Sequence, residues 1–469
     1  MLSVSDTMCL DGGEGPATPP PPPRCCSNAT AKALPFCDTS LSFGARAADL
    51  VKRLTVEEIA GVLTMSMPNS ETRAGTTYIN QRLTSPVPRL SVPGFEFSEA
   101  CHGILSGCLP GSAHSSGCPT SFPMPIGQAA SFNETLWHAT ASAISDEARA
   151  LQNGGVNGVN FFAPNINVVR DPRWGRGYET AGEDALLNGR FAVKFVMGLQ
   201  GSAHYLKAVA TCKHSLLYDL ETARGARSSS ATAMDLTEYF LVPFEFCIKR
   251  ANVSSIMCQY GAKDGVPSCA NGAINNQLYR ETYGGDFFMV SDCDAAGKFT
   301  QHWANFTAAN ASQGVAEGIL GGLDVDCGQT YSSIPAAVAE GLLPEAAVRT
   351  SAQRFLSKQI ALGALEPDSP YAGLGAEVVD SAEHRQLALE AAQQSMVLLR
   401  NEQRPGSASS GARGLPLSAD AKIAFIGPHC VSTVALLGNY HGTHLSLRSF
   451  CHLPEASHLP AFACCFAQC

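Results

Sequence analysis

The sequence predicts an α/β fold: a (β/α)8 TIM-like barrel followed by the start of an incomplete α/β sandwich domain. Three observations predict it. Short apolar runs repeatedly end in polar or charged residues and give way to helical stretches, the mark of βα units on a parallel sheet. Six or more such units fall within about 300 residues, which suits a closed barrel better than a doubly wound sheet. A further buried-strand pattern, Lys422–Ile426, then follows a Pro/Gly/Ser-rich stretch, Arg404–Arg413.

The elements follow in order. Residues 1–33 read as a disordered Pro-rich segment whose run Pro19–Pro23 favours polyproline II, with no basic stretch leading into an apolar one. Order is expected from Leu34. Arg46 to Thr64 has helical apolar spacing (Leu50, Val51, Leu54, Ile59, Val62, Leu63) and a capping-box pattern from Thr55 to Glu58. The strand runs are 94–97, 156–162, 208–211, 255–258, 287–290 and 323–325. They place the barrel at 34–365. Residues 366–420 are expected to be a helical connection and linker, with an amphipathic helix between Ser381 and Asn401. Residues 421–445 are expected to be the truncated start of the sandwich, and 446–469 an aberrant Cys-rich tail.

Composition narrows the function classes. Of 469 residues, 45% are hydrophobic and 16% charged, so a full core is available. Acids outnumber bases 41 to 32, and the net charge of -9 gives no footprint for nucleic acid or an anionic membrane. No apolar run reaches about 18 residues, so no spanning helix is expected. No GxGxxG follows an early strand, which leaves a dinucleotide site unsupported. The 18 cysteines show no zinc-type spacing. With five Asn-x-Ser/Thr sequons, at Asn28, Asn133, Asn252, Asn305 and Asn310, they point to an extracellular or secretory-pathway protein, although no signal peptide is visible.

In a barrel, the C-terminal strand ends share one mouth. Those ends carry Glu99, Lys213, His214, Tyr260, Asp292 and Asp294, with Arg176 on a following loop. This mixture of acids, cations and donors suits a polyhydroxylated substrate and attack by a carboxylate. Asp292 stands out because it follows the most apolar strand, Phe287–Val290, where a carboxylate is partly desolvated and needs partners such as Lys213 and Arg176. The alternative for Asp292 is a helix cap or salt-bridge acid. Lys213-His214 binds substrate hydroxyls or is an ordinary loop pair. His102-Gly103 lines the mouth or makes a turn. The Cys101–Cys118 loop is a disulfide-braced lid or a plain surface loop, with pairing left open. Asp324–Cys327 lacks the oxygen ligands calcium needs and reads as structural.

These motifs together resemble glycoside hydrolase family 3, especially its β-xylosidase/α-L-arabinofuranosidase branch. The stretches that carry the resemblance are LPFCD from Leu34, SEACHG from Ser98, TSFP from Thr120 and NINVVRDPRWGRGYETAGED from Asn165. Further matches are Lys213-His214, YDLE from Tyr218, IMCQY from Ile256, VPSCAN from Val266, SDCDA from Ser291, VLLRNE from Val397 and LGNY from Leu437. They cover about residues 34 to 442. The resemblance implies a retaining exo-glycosidase with Asp292 as nucleophile. It implies that Arg176, Lys213 and His214 hold the hydroxyls of the first sugar, that Tyr260 stands beside the nucleophile and that Glu99 binds hydroxyls opposite them. It implies an oligosaccharide or polysaccharide substrate and no cofactor. Glucosidases of the family usually carry Asp where Glu99 stands, and the longer side chain is expected to favour pentoses.

The departures lie around this frame. The family takes its acid/base glutamate from the sandwich domain, and that motif is not found after Tyr440, so impaired activity is expected of this chain. A sugar-binding barrel without turnover, or an incomplete gene product, is the alternative. Ser215-Leu216-Leu217 also replaces a more polar or aromatic stretch of the family, and Gly261 its usual Asn, which is expected to loosen the first subsite.

Overall fold

The computed structural model describes residues 25–27, 29–66, 72–73, 76–77, 82–109, 117–402, 413–417, 423–426, 437–442 and 462–465. Most of the Pro-rich N-terminal segment lies outside them, as do Lys422 and Arg404–Gly411.

Eight strands form the central sheet: β1 (Thr64–Ser66), β2 (Arg82–Thr84), β3 (Glu96–Ser98), β4 (Asn160–Phe161), β5 (Val209–Ser215), β6 (Ser255–Cys258), β7 (Phe288–Ser291) and β8 (Asp326–Cys327). The sheet order is β7-β6-β5-β4-β3-β2-β1-β8, and a bridge between Val290 and Val325 brings the two ends together. The result is the expected barrel with one irregularity. β2 pairs antiparallel with both β1 and β3, whereas every other neighbouring pair is parallel. Among the described residues no α-helix links β1 to β3 through β2; only a 3-10 turn, Pro88–Leu90, stands between β2 and β3, and the chain turns back on itself, as antiparallel neighbours allow.

The helix expected over Arg46–Thr64 is two helices, α1 (Phe43–Arg53) and α2 (Val56–Leu63). The capping box marks the break. Thr55 Oγ1 accepts from the Glu58 amide at 3.2 Å while the Glu58 carboxylate accepts from the Thr55 amide at 2.9 Å, so a new N-terminus starts inside the periodic run. Helices α3 (Glu134–Asn153), α4 (Ala185–Gln200), α5 (Val242–Lys249), α6 (Ala311–Leu320) and α7 (Glu345–Ala361) then cover the barrel. A π-helical segment, Ala273–Thr282, fills the place between β6 and β7.

The lower end of the barrel is closed by side chains. Phe97, Phe288 and Phe355, all fully buried, pack with ring centroids 5.1–6.3 Å apart, and Phe355 comes from α7. Asn160 on β4 and Gln359 on α7 exchange two amide hydrogen bonds, of 3.2 and 2.8 Å, which satisfies both buried side chains.

Order begins before Leu34. Cys26 is buried, donates its amide to the Leu365 carbonyl at 3.1 Å and forms a disulfide with Cys37. Beyond the barrel, helix α8 (Ala382–Gln394) is shorter than the run to Asn401 expected from periodicity. Met396–Leu399 follow it without helical structure and largely exposed. Ile423–Ile426 is the expected strand, and it pairs in parallel with Phe462–Cys465. Four residues of the segment expected to be an aberrant tail are therefore strand.

Candidate active site

Asp292 directly follows β7, and two hydrogen bonds fix its position. Its amide donates to the Cys258 carbonyl of β6 at 3.0 Å, and its Oδ1 accepts from the Cys293 amide at 2.9 Å. Cys293 is disulfide-bonded to Cys327 of β8, and Cys258 at the end of β6 to Cys269. The carboxylate is thus held between two covalently braced strand ends. Its Oδ2 is buried and receives no hydrogen bond among the described residues, while His214 Nε2 stands 3.6 Å away. Burial pushes the Asp292 pKa up, and the charges of Arg176 and Lys213 with the nearby Tyr260 hydroxyl act against that shift.

Lys213 and His214 lie on β5 and are almost wholly buried. Lys213 Nζ donates to Glu99 Oε2 at 2.8 Å, and Arg82 on β2 reaches Glu99 Oε1 at 3.3 Å. Glu99, directly after β3, is therefore held between two cations. His214 is pinned by Asn167, whose Oδ1 accepts from the His214 amide at 2.9 Å and whose Nδ2 donates to the His214 carbonyl at 2.8 Å. That fixes the amide orientation, so His214 Nδ1 donates to Asn167 Oδ1 at 3.0 Å. Burial, then Arg176 and Lys213, hold the His214 pKa well below its usual value, so the ring is neutral. Its Nε2 is then an acceptor beside a second acceptor, Asp292 Oδ2. Neither can donate to the other, and a substrate hydroxyl placed between them has the donor chemistry both accept.

Arg176 follows the same logic. Its guanidinium grips Glu179, three residues on, through bonds of 2.7 to 3.0 Å. Burial would raise the Glu179 pKa, but Arg176, Lys213 and the Asn439 amide outweigh it and hold the carboxylate ionised. Arg176 Nη1 also reaches the Tyr218 hydroxyl at 3.4 Å, and Nη2 the Tyr440 hydroxyl at 3.3 Å. Tyr260 stands half-buried under the Arg224 guanidinium, 4.5 Å from the ring centroid. Burial, then the Asp292 charge, raises its pKa, so the phenol keeps its proton beside the carboxylate.

All six sequence-predicted residues, Glu99, Arg176, Lys213, His214, Tyr260 and Asp292, thus converge on one mouth. Asp294 reaches the rim only. It is exposed, with a left-handed backbone and its amide on the Cys327 carbonyl. His102 is a clamp: its ring nitrogens contact the Phe122 carbonyl at 2.9 Å and the Asn439 carbonyl at 2.8 Å. The disulfide in the Cys101–Cys118 loop joins Cys108 to Cys118, and Cys101 is a buried free thiol. Asp324 is structural, bonded to Arg280 at 2.6 Å and Arg354 at 3.1 Å. Gly261 has a packing reason, because a Cβ there would meet the Arg227 carbonyl at 2.6 Å.

Sequence reasoning missed Glu179, Asn167, Tyr218 and Tyr440 as parts of the site. Glu179 had a local signal, an acid three residues after Arg176. Tyr440 had no local one, being 264 residues from the arginine it touches, although it ends the LGNY stretch that carries the family resemblance.

A family profile described as "Glycosyl hydrolase family 3 N terminal domain" matches residues 39–358. The chain belongs to glycoside hydrolase family 3. It is 38% identical over 426 residues to the β-xylosidase/α-L-arabinofuranosidase 1 of Medicago sativa subsp. varia, an alignment covering 87% of this chain and 51% of that protein. It is 37% identical over 431 residues to the β-D-xylosidase 1 of Arabidopsis thaliana, covering 89% and 52%. Among solved structures, a family 3 exo-β-xylosidase (XlnD) in complex with a xylobiose aziridine activity-based probe superimposes with a TM-score of 0.82 at 33% identity, covering 94% of this chain and 55% of that one. The chain spans about half the length of the curated relatives it matches.

Proposed function

We propose that this barrel is the nucleophile-bearing half of a retaining, exo-acting β-xylosidase-like glycoside hydrolase that releases terminal pentose from xylo-oligosaccharides or related plant-type polysaccharides. The observation that supports it most is the unpartnered Asp292 Oδ2, braced by backbone at the centre of the mouth and facing a neutral His214. In the first displacement an Asp292 oxygen bonds to the anomeric carbon as the glycosidic oxygen departs with its electron pair. Water then attacks the same carbon, its proton passing to a base, and restores the carboxylate. Glu99, Arg176, Lys213 and His214 hold the hydroxyls of the terminal sugar, and Tyr260 steadies the nucleophile. A retaining pair needs a second carboxyl about 5–5.5 Å away as acid/base. That role is assigned to no described residue; general acid catalysis contributes about 100- to 10,000-fold for poor leaving groups.

The test is intact mass after incubation with a 2-fluoro-xyloside carrying a very good leaving group, which needs little acid assistance. A covalent adduct mapped to Asp292 is the expected result. No adduct on folded, monodisperse protein sinks the proposal.

We also propose passage through an oxidising compartment. It is supported by the five disulfides among the described residues and by exposed sequon asparagines Asn252, Asn305 and Asn310. Asn133 is half-buried, with its Oδ1 capping α3 and its Nδ2 donating to Gln394; Asn305 Nδ2 likewise donates to the Asp264 carbonyl at 2.6 Å, and Asn310 Oδ1 caps α6.

A further inference from the structure

We infer that Tyr440 is a specificity-determining wall of the first sugar subsite, admitting a pentopyranose and excluding the exocyclic carbon of a hexose; the inference rests on the glycosidase reading above. Tyr440 belongs to a short segment, Leu437–Gly442, that returns to the barrel mouth from far along the chain. The segment is clamped on both sides. The Asn439 carbonyl contacts His102 Nε2 at 2.8 Å, and Asn439 Nδ2 donates to Glu179 Oε1 at 2.9 Å. Gly438 has a φ of 71° and lies so close to Met124 that a Cβ would meet its sulfur at 2.7 Å. A Cβ on Gly442 would meet the Ile104 carbonyl at 2.6 Å. Tyr440 itself has a φ of 58°, a conformation a bulky residue keeps only where its surroundings over-determine it.

These clamps lay the Tyr440 ring over the hydroxyl-binding groups. Lys213 Nζ is 4.7 Å from the ring centroid, and the Tyr440 hydroxyl accepts from Arg176 Nη2 at 3.3 Å. Desolvation of the half-buried phenol, then the Glu99 charge, with Glu179 and Asp292 behind them and Arg176 opposing, raises the Tyr440 pKa and keeps it protonated. The ring therefore stands at the end of the mouth where Lys213 meets Glu99. A pyranose with its anomeric carbon at Asp292 Oδ2 directs its far hydroxyls to that end. The extra carbon of a hexose branches from C5, next to C4, and there it meets the ring.

The experiment measures the rate of Asp292 labelling by 2-fluoro-xyloside and by 2-fluoro-glucoside with the same good leaving group, for the wild-type chain and Tyr440→Ala. One carbon in a pocket is commonly discriminated by about 10- to 200-fold. Tyr440→Ala is expected to lower the xyloside-to-glucoside rate ratio at least about tenfold, through faster glucoside labelling. Tyr440→Phe keeps the ring and is expected to leave the ratio unchanged. If Tyr440→Ala does not fold, Tyr440→Leu gives the same reading with a smaller shift. An unchanged ratio in the shortened variant, with xyloside still labelling Asp292, overturns this inference alone. No labelling of wild type by either sugar overturns the glycosidase reading and this inference with it.

Discussion

The two ends of the barrel are built from the same strands and solve opposite problems. At the lower end β3 and β7 contribute Phe97 and Phe288, which pack on Phe355. Burial there is favourable by itself, roughly 1.5–3 kcal/mol for each such side chain. A few residues further on, those strands deliver Glu99 and Asp292, where burial is unfavourable unless each charge is paired. Lys213 is paired with Glu99 and Arg176 with Glu179. Among the buried carboxylate oxygens of the described residues, Asp292 Oδ2 is the one left without a bond. The difference teaches where to look for chemistry: the atoms left over lower down, Ser255 Oγ and Thr211 Oγ1, are neutral hydroxyls, whereas at the mouth the unbonded atom belongs to a carboxylate, and a carboxylate can attack.

The sharpest way to break this comparison is to remove that atom's charge. Asp292→Asn is expected to abolish labelling and to lower turnover of a dinitrophenyl xyloside by about 10,000-fold or more, as for other nucleophile deletions. Its thermal midpoint should stay equal or rise, because a desolvated carboxylate is replaced by a neutral amide. A fall of several degrees would make Asp292 a structural acid and dissolve the contrast between the two ends.

Phe355→Ala is the mirror experiment. It is expected to cost about 3–5 kcal/mol in denaturant unfolding, the usual price of an aromatic deleted from a core. Asp292 labelling by the fluoro-xyloside should persist at temperatures where the variant is folded. Loss of labelling in folded protein would show that the lower end shapes the mouth directly.

A finer test concerns Glu99. Glu99→Asp shortens the carboxylate that Lys213 and Arg82 hold. The expected outcome is a gain of glucoside over xyloside labelling of about tenfold, or 1.4 kcal/mol, in line with the effect of one methylene. No gain would leave Tyr440 as the pentose filter without help from Glu99.

The same contrast explains what was legible in the sequence. Buried strand runs are local and dense, so β6 and β7 could be read within a residue from runs such as Ser255–Cys258, and the site residues at their ends followed. β2 was not legible, because Arg82–Thr84 is short, polar and Pro-flanked, and pairs only through tertiary context. The split between α1 and α2 was visible as a capping box but was subordinated to the apolar period across it. The partners of the charged groups were the least legible. Nothing near Lys213 in sequence announces Glu99, and nothing near Arg176 announces Tyr440, because charge pairing at the mouth is set by barrel closure and by a returning segment.

The smallest effect comes from outside both ends, where helix α8 is tied to α3 by His384 and Glu147. His384 Nδ1 lies 2.7 Å from Glu147 Oε1, and the same carboxylate accepts from the Thr120 amide at 2.7 Å, the Thr120 hydroxyl at 2.6 Å and the Asp380 amide at 3.1 Å. Burial alone would lower the His384 pKa. The Glu147 hydrogen bond and charge, with Asp146 and Glu383 behind them, outweigh burial and raise it. A folded-state pKa above the unfolded value, about 6.5 for histidine, gives a contribution that is fully present below pH ~6.5 and is lost as pH rises through the raised value. The stability gap between wild type and His384→Gln should therefore be larger at about pH 5.5 than at about pH 9, by no more than about 1–2 kcal/mol for one partly exposed pair. Denaturant midpoints at the two pH values measure it. A gap that does not change with pH would mean that His384 holds α8 as a neutral hydrogen-bond donor. The tie would then belong with the packing of the lower end rather than with the charge pairing of the mouth.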